Sequence, residues 1–417
     1  MGIGFGSIGT GLPKNIVQQI IEAEKIPIRQ METRKGKIAE KKSLVQQVTK
    51  LVENLRSEVL KNKNARSLRE LTVNTGGSQA VKVSADKNIA QPAKYQLEIL
   101  RMAKKSSALT NGVEDKDETY TGVGYIGVTL PNGEEKEIYI DDEHANLTGI
   151  AKLINRNENL GIQATVINDG KGGDQPWHLM ISMSDTGDNQ KVTFPNLYLL
   201  DGEVDLYFDQ ERDAKDALIK LDGFEIEVPG NRVTDLIPGV TIDLQKTTEG
   251  KEITLEINED IQKIGEKIKV IIDSLNNILT FIKQQNNLNE KTDTSRTLGG
   301  DSMLQTIESR IRSSVFTTVD TDSGKLRIGD LGVNFQRDGL LQFDQTKFQS
   351  MLAQDFKGIT QVLVGKFSLE EGKVKGFIDV LDETARLLLA PPSGTLPNRK
   401  KGLDNQIRQI DRALLDL

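Results

Sequence analysis

The chain contains no cysteine, which excludes disulfide frameworks, thiolate metal sites and cysteine nucleophiles. Histidine is almost as scarce. The two present, His144 and His178, occupy unlike contexts, and neither lies beside a candidate nucleophile or at a metal-ligand spacing. Both are expected in surface or strand roles. Trp177 is the single tryptophan, so a core position is the stronger expectation for it than a sugar-stacking platform built with Tyr198. No stretch approaches the roughly 18 consecutive apolar residues of a membrane helix. The opening residues, MGIGFGSIGTGLPKN, lack both a cationic segment and a continuous apolar one, so neither Sec export nor membrane anchoring is expected. Net charge is −7 with no basic block, which argues against nucleic acid or an anionic membrane as a principal partner.

Short motifs that imitate chemistry fail on context. Gly4-Phe5-Gly6-Ser7-Ile8-Gly9 has the spacing of a dinucleotide fingerprint, but no room precedes it for the required strand. Asp320-Thr321-Asp322-Ser323-Gly324 begins like a calcium loop, yet its twelfth position is Leu331, where a bidentate glutamate is needed. A β-turn is the better reading. Gly170-Lys171-Gly172-Gly173 lacks phosphate-loop spacing and reads as a hairpin loop. The acid pairs Asp141-Asp142 and Asp115/Asp117 nominate no glycosidase without a defined separation. No catalytic residue, cofactor site or metal site is expected.

What the chain does have is periodicity. From Asp213 to Asn258 apolar residues alternate with polar ones at Ala217, Ile219 and Leu221, at Phe224, Ile226 and Val228, at Val240, Ile242 and Leu244, and at Ile253, Leu255 and Ile257. Asp222-Gly223, Pro229-Gly230-Asn231, Pro238-Gly239 and Thr248-Glu249-Gly250 occupy the gaps as turns. This predicts an antiparallel strand module. Strands are also expected at Val81–Val83 and Tyr95–Ile99. Between them, Ser106 to Arg212 reads as an inserted α+β domain, with a helix over Leu147–Asn155 and strands at Tyr125–Leu130, Glu137–Ile140, Ile162–Ile167 and His178–Met183.

On both sides the period becomes helical. A short segment carrying Ile16, Val17, Ile20 and Ile21 is expected to end before Pro27. A long helix follows to about Lys61, with Ile38, Val45, Val52 and Val59 seven apart, Val48 and Leu55 between them, and Lys41 as a polar exception. After Asn258, Ile261, Ile264, Ile268, Ile271, Leu275, Ile278 and Ile282 keep unbroken three- and four-residue steps. Another helix carries Leu304, Ile307, Ile311 and Val315, and a strand pair is expected near Leu326–Ile328 and Leu340–Phe343. Short helices are expected from Asp344, Asp355 and Lys373. Beyond Pro391-Pro392-Ser393-Gly394, Leu403, Ile407, Ile410, Leu414 and Leu417 repeat the helical steps, too briefly for an isolated coiled coil. This end is expected to pair with the N-terminal helix, to need another subunit, or to be cut from a longer parent.

At 417 residues the chain predicts about two to four domains. The fold class expected is α+β and multidomain: a discontinuous helical bundle with coiled-coil-like terminal helices, and two β-rich head domains, the outer inserted into the inner. The expected boundaries are 1–40 and 391–417 for two terminal leg segments, 41–74 with 259–390 for the helical domain, 75–105 with 213–258 for the inner β-rich domain, and 106–212 for the outer one.

One set of residues goes further. Asp216-Ala217, Asp222-Gly223, Asn231, Asp235, Ile237 and Gly239-Val240-Thr241 carry a pattern that strongly resembles the flagellar filament cap family, hook-associated protein type 2. Other blocks agree in order: Ile8-Gly9-Thr10-Gly11-Leu12 with Glu24-Lys25-Ile26-Pro27, Ala93-Lys94-Tyr95, Ile154-Asn155 with Gly161-Ile162-Gln163-Ala164, Gly300-Asp301-Ser302 with Ile307-Glu308-Ser309-Arg310, and Asp338-Gly339-Leu340-Leu341. The resemblance spans essentially the whole chain. It departs at the C-terminus, where such proteins carry a longer helix, and in the outer loops of 106–212. It implies an oligomeric cap at the distal tip of the bacterial flagellum, beneath which exported flagellin folds. The partners it implies are further copies of the chain in a ring, flagellin, hook-filament junction proteins and a dedicated export chaperone, with flagellar type III export and no cleaved signal. Ile16, Ile20, Ile38, Val45, Val48, Leu403, Ile407, Ile410 and Leu414 are the assembly residues expected in the legs, and Asp216, Asp222, Gly223, Asn231, Asp235, Gly239, Val240 and Thr241 the scaffold motif. The alternative is a surface adhesin whose β-rich head binds host glycans.

Overall fold

A computed structural model describes residues 14–157, 161–190, 193–289, 292–370 and 372–416. The chain divides into two compact units, one of Met1–Glu70 with Asp260–Leu417 and one of Leu71–Glu259. In chain order the helices are α1 (Lys14–Lys61), α2 (Ala65–Leu68), α3 (Leu147–Arg156), α4 (Ile261–Asn286), α5 (Ser302–Phe316), α6 (Gln345–Gln354), α7 (Phe356–Val364), α8 (Phe377–Leu389) and α9 (Thr395–Leu415). All but α3 belong to the first unit.

The helical unit forms because its apolar stripes face one another. Every step of the α4 pattern from Ile264 to Ile282 is buried, as are Ile38, Val45, Val48, Val52, Leu55 and Val59 of α1. They share one core with α5 through α9. Side-chain caps fix where the helices begin: Asp260, Asp301, Asp344 and Asp355 each accept a hydrogen bond from a backbone N–H in the first turn of the helix they precede. Where the unit's two chain segments meet, Asp260 N–H donates to Glu70 O at 2.8 Å and Lys267 reaches the Glu70 carboxylate at 2.5 Å.

Two expectations change here. The helix does not stop before Pro27, because α1 runs through it. A proline there deletes one backbone donor and crowds the preceding turn, and residues 18–27 are all exposed, so no packed core depends on that turn. Residues 40 and 41 both lie inside α1, and α9 packs on α1 within the same unit. Lys373 begins no helix: Lys366–Ser368 and Gly372–Val374 form a hairpin, and α8 starts at Phe377.

The strand unit holds two cores. The inner one lies between a five-stranded sheet, ordered Leu71–Asn74, Ile253–Glu259, Ala93–Arg101, Ala217–Leu221 and Phe224–Val228, and a three-stranded sheet of Arg232–Ile237, Val240–Leu244 and Val81–Ala85. The alternating residues Ala217, Ile219, Val240, Ile242, Leu255 and Ile257 are its buried face. The outer core, from the inserted residues, gathers α3, a four-stranded sheet (Phe208–Arg212, Ser107–Thr110, Trp177–Met183, Ile162–Asn168) and a three-stranded one (Glu135–Ile140, Val123–Thr129, Thr193–Leu200).

Leu275 is fully buried in α4, so Leu275→Ala should cost the helical unit about 2–5 kcal/mol. Far-UV circular dichroism would show a lowered helical transition. The fluorescence of Trp177, which lies in the strand unit, should keep its own midpoint. An unshifted helical transition would contradict this packing.

Candidate assembly residues and the scaffold motif

The scaffold motif is a set of local closures in the strand unit. Asp222 and Gly223 make a two-residue hairpin turn, Leu221 pairing with Phe224, and both central residues take positive φ, +49° and +90°. Asp222 also ties the turn to the neighbouring strand: its carboxylate accepts from Gln96 N–H at 2.7 Å, and its own N–H donates to Gln96 O at 2.8 Å. Asn231 acts as a strand surrogate. Its side chain accepts from Ala103 N–H at 2.8 Å and donates to Ala103 O at 3.1 Å, holding the chain just before it enters the inserted residues. Asp216 and Asp188 exchange backbone-to-carboxylate bonds at 2.7 and 3.1 Å, which fixes the return point. Gly239 sits at φ +74°, where a Cβ would lie 2.6 Å from Ala90 N. Val240 is buried, Thr241 pairs with Ser84, and Asp235 is exposed and accepts from the Thr234 hydroxyl at 3.3 Å. In the outer part Asn155 repeats the device of Asn231, its amide bonding both backbone groups of Ala164 at 2.8 and 2.9 Å.

The expected leg residues divide by environment. Ile38, Val45, Val48, Leu403 and Ile410 are buried in the helical core, with Ile407 and Leu414 half-buried against it. Lys35–Asp411 and Lys42–Asp404, both at 2.5 Å, flank the α1–α9 seam. Toward its start α1 has no such cover. Ile20, Ile21 and Ile26 are 50%, 44% and 52% exposed. Ile8–Leu12 of the N-terminal block and the side chain of Ile16 lie outside the described residues, as does Leu417.

The candidate chemistry resolves into structure. His144 Nδ1 meets the Asp141 carboxylate at 2.6 Å in a turn that Asp141 caps, and that contact holds Asp141 below the usual carboxylate range. His178 Nδ1 meets Thr110 O at 2.8 Å. Trp177 is half-buried against the outer core with the Lys116 ammonium 5.7 Å from its ring, whereas Tyr198 lies in a different sheet and faces solvent. Trp177 therefore packs against the core as expected, and the alternative of a platform with Tyr198 is not formed. Strand register instead aligns Tyr139, Tyr125 and Tyr198 in an exposed row, Tyr125 and Tyr139 having ring centroids 5.1 Å apart. Their distance along the chain hid that row from the sequence. Among the described residues no cluster of three metal-ligating side chains occurs, and no helix is long and apolar enough to cross a membrane.

This arrangement defines an α+β multidomain chain whose two ends build one helical unit and whose middle builds a strand unit carrying an insertion. Known proteins share it. Residues 11–106 match the N-terminal domain, and residues 214–417 the C-terminal domain, of flagellar hook-associated protein 2. The chain belongs to that family. The B-type flagellar hook-associated protein 2 of Pseudomonas aeruginosa is 23% identical over 379 residues, 83% of this chain and 75% of the relative. The A-type protein of that species is 23% identical over 95% of this chain and 86% of its own length. Among solved structures, the D1–D2–D3 domains of the flagellar cap protein FliD from Escherichia coli align with a TM-score of 0.60 at 20% identity, covering 86% of this chain and 99% of that one. That likeness shows the same fold.

Asn231→Ala would strand both backbone groups of Ala103, each worth about 1–3 kcal/mol when left unsatisfied. The urea midpoint read by Trp177 fluorescence should fall accordingly. A midpoint equal to that of the unaltered chain would show that the side chain is dispensable.

Proposed function

We propose that this filament cap protein forms a ring of identical subunits at the distal end of the bacterial flagellum. There it promotes folding and insertion of exported flagellin and is needed for filament growth and motility. The family match on both sides of the inserted residues carries the reading. The chain acts by binding and shaping, not by catalysis. It leaves the cell unfolded through the flagellar type III route, escorted by a dedicated chaperone, and seats at the hook-filament junction before filament growth.

The helical ends are the moving parts of this reading. An isolated helix start with three exposed isoleucines gains little order by itself, and it gains much when a partner surface removes those side chains from water. Ile20, Ile21 and Ile26 therefore contact the filament or a neighbouring subunit in the assembled cap, while Ile38, Val45 and Val48 hold α1 against Leu403, Ile407, Ile410 and Leu414.

Two pairs of substitutions separate these roles. Ile20→Asp with Ile26→Asp should leave the monomer's melting unchanged and abolish swimming. Ile407→Asp with Ile410→Asp should lower the helical transition as well as abolish swimming, with the Trp177 signal of the strand unit retained. A strain lacking the protein should make short or no filaments and release flagellin into the medium. Normal motility in the first variant would remove the exposed isoleucines from the proposal, and normal filaments in the deletion strain would remove the cap function.

A further inference from the structure

Two features of the helical unit are unused by the packing described above. One is the hairpin of Lys366–Ser368 with Gly372–Val374, between α7 and α8. Its base is braced. The backbone approaches itself so closely there that a Cβ on Gly365 would stand 2.1 Å from Val374 O. Lys373 bonds Asp379 at 2.5 Å, and Lys366 bonds Asp322 at 3.1 Å. Asp322 also accepts from Lys357 and Gln361, and these three donors, Lys357 foremost, hold its carboxyl well below the usual range. The tip, by contrast, is bare. Phe367 is 76% exposed and Leu369 98%, and the Glu370 carboxylate has no ion pair among the described residues. Two large apolar side chains presented on a braced stalk are a surface for association.

The other feature is a cleft of about 700 Å³ between the C-terminal half of α4, the middle of α5 and the turn around Gly339. Its apolar floor is Leu279, Ile282 and Leu340, and cations stand at its rim. Lys283 is paired with Asp338 at 3.3 Å, and Arg312 with Glu308 at 2.9 Å, its guanidinium 4.6 Å from the Phe335 ring centroid. Arg337 has no ion pair among the described residues and is exposed. In a chain of net charge −7 this is a place where positive charge exceeds negative over an apolar floor. The tip of the same chain, 98% exposed at Leu369, does not occupy it. It also springs from the other end of the bundle. Asp382 of α8 meets Arg56 and Lys63 beside the end of α1, where Lys267 of α4 bonds Ser67 O; Lys283 lies sixteen residues further, roughly 24 Å along the helix axis.

We infer that the Phe367–Glu370 tip of one subunit docks in the Arg337 cleft of a second copy of this chain. Phe367 and Leu369 cover the apolar floor and the Glu370 carboxylate pairs with the Arg337 guanidinium. The inference rests on the reading of the chain as a self-assembling cap and names the contact. Such a contact joins two different patches, so it repeats head to tail, closing a ring or running on as a filament. An apolar anchor beside one arginine–carboxylate pair is the composition of an energetically dominant interface centre.

The absence of native cysteine makes the test direct. Full chain carrying Ser368→Cys is mixed with full chain carrying Gln284→Cys, two positions beside the proposed contacts that leave Leu369, Glu370 and Arg337 in place, and treated with a short bismaleimide. A covalent heterodimer should form in yield well above that from Ser368→Cys mixed with Lys171→Cys, whose thiol lies in the strand unit. In sedimentation equilibrium, Leu369→Ser and Arg337→Glu should each weaken self-association by about tenfold, and Glu370→Arg should restore association to Arg337→Glu. If the unaltered chain associates but the thiol pair crosslinks no better than the control, this docking is wrong and the self-assembly reading survives. If the unaltered chain is monomeric at every concentration, both fall.

Discussion

The contact on which the helical unit depends is the seam between α1 and helices more than two hundred residues away along the chain. Val45, Val48, Val52 and Val59 have low intrinsic helix preference, and α1 holds them because α4, α8 and α9 cover them. Each buried side chain contributes about 1.5–3 kcal/mol when removed from water. The ion pairs beside the seam, Lys35–Asp411 and Lys42–Asp404, involve side chains roughly a third to two-fifths exposed and add little by comparison. The seam must be closed over a long loop, and such contacts form late and slowly. The strand unit bears the corresponding constraint at its own ends, where Leu71 pairs with Glu259 and the antiparallel register continues to Asn74 and Glu256.

Against that background the scaffold motif is understandable as turn chemistry. Asp222, Asn231, Asp216 and Gly239 all make backbone contacts at turns or chain crossings. Each fixes one place where the chain changes direction, by satisfying a neighbouring strand's backbone or by tolerating a conformation that a larger residue resists. This explains how turn residues can carry a family resemblance. Turn geometry allows few substitutes, whereas an apolar seam accepts many side chains of similar volume.

The same distinction decides what was legible beforehand. The α4 stripe, the alternating strands from Ala217 to Ile257 and the helix starts at Asp344 and Asp355 could be read directly, because period and boundary residues are local signals. Helix α3 was expected over Leu147–Asn155 and spans Leu147–Arg156. The helix expected from Lys373 is instead the second strand of a hairpin, since its charged, weakly apolar residues carry no period and its shape depends on the close backbone crossing at Gly365 and Gly376. Pro27 is expected as a stop, yet α1 runs through it, the lost donor and the crowding of the preceding turn falling where no core is packed. The row of Tyr139, Tyr125 and Tyr198 and the cleft around Arg337 were invisible, because each is assembled from segments whose register exists only in the fold.

What separates the exposed helix start from the buried seam is the supply of partners, not the local sequence. Ile20, Ile21 and Ile26 are as apolar as Ile38, yet they are exposed where Ile38 is buried in the helical core. Those three isoleucines keep their hydration, and the backbone around them gains hydrogen bonds without gaining burial. A short helix in that condition is close to balance between order and disorder. Any surface that removes a few isoleucines from water will tip it toward order, by an amount comparable with the conformational entropy of the residues it fixes.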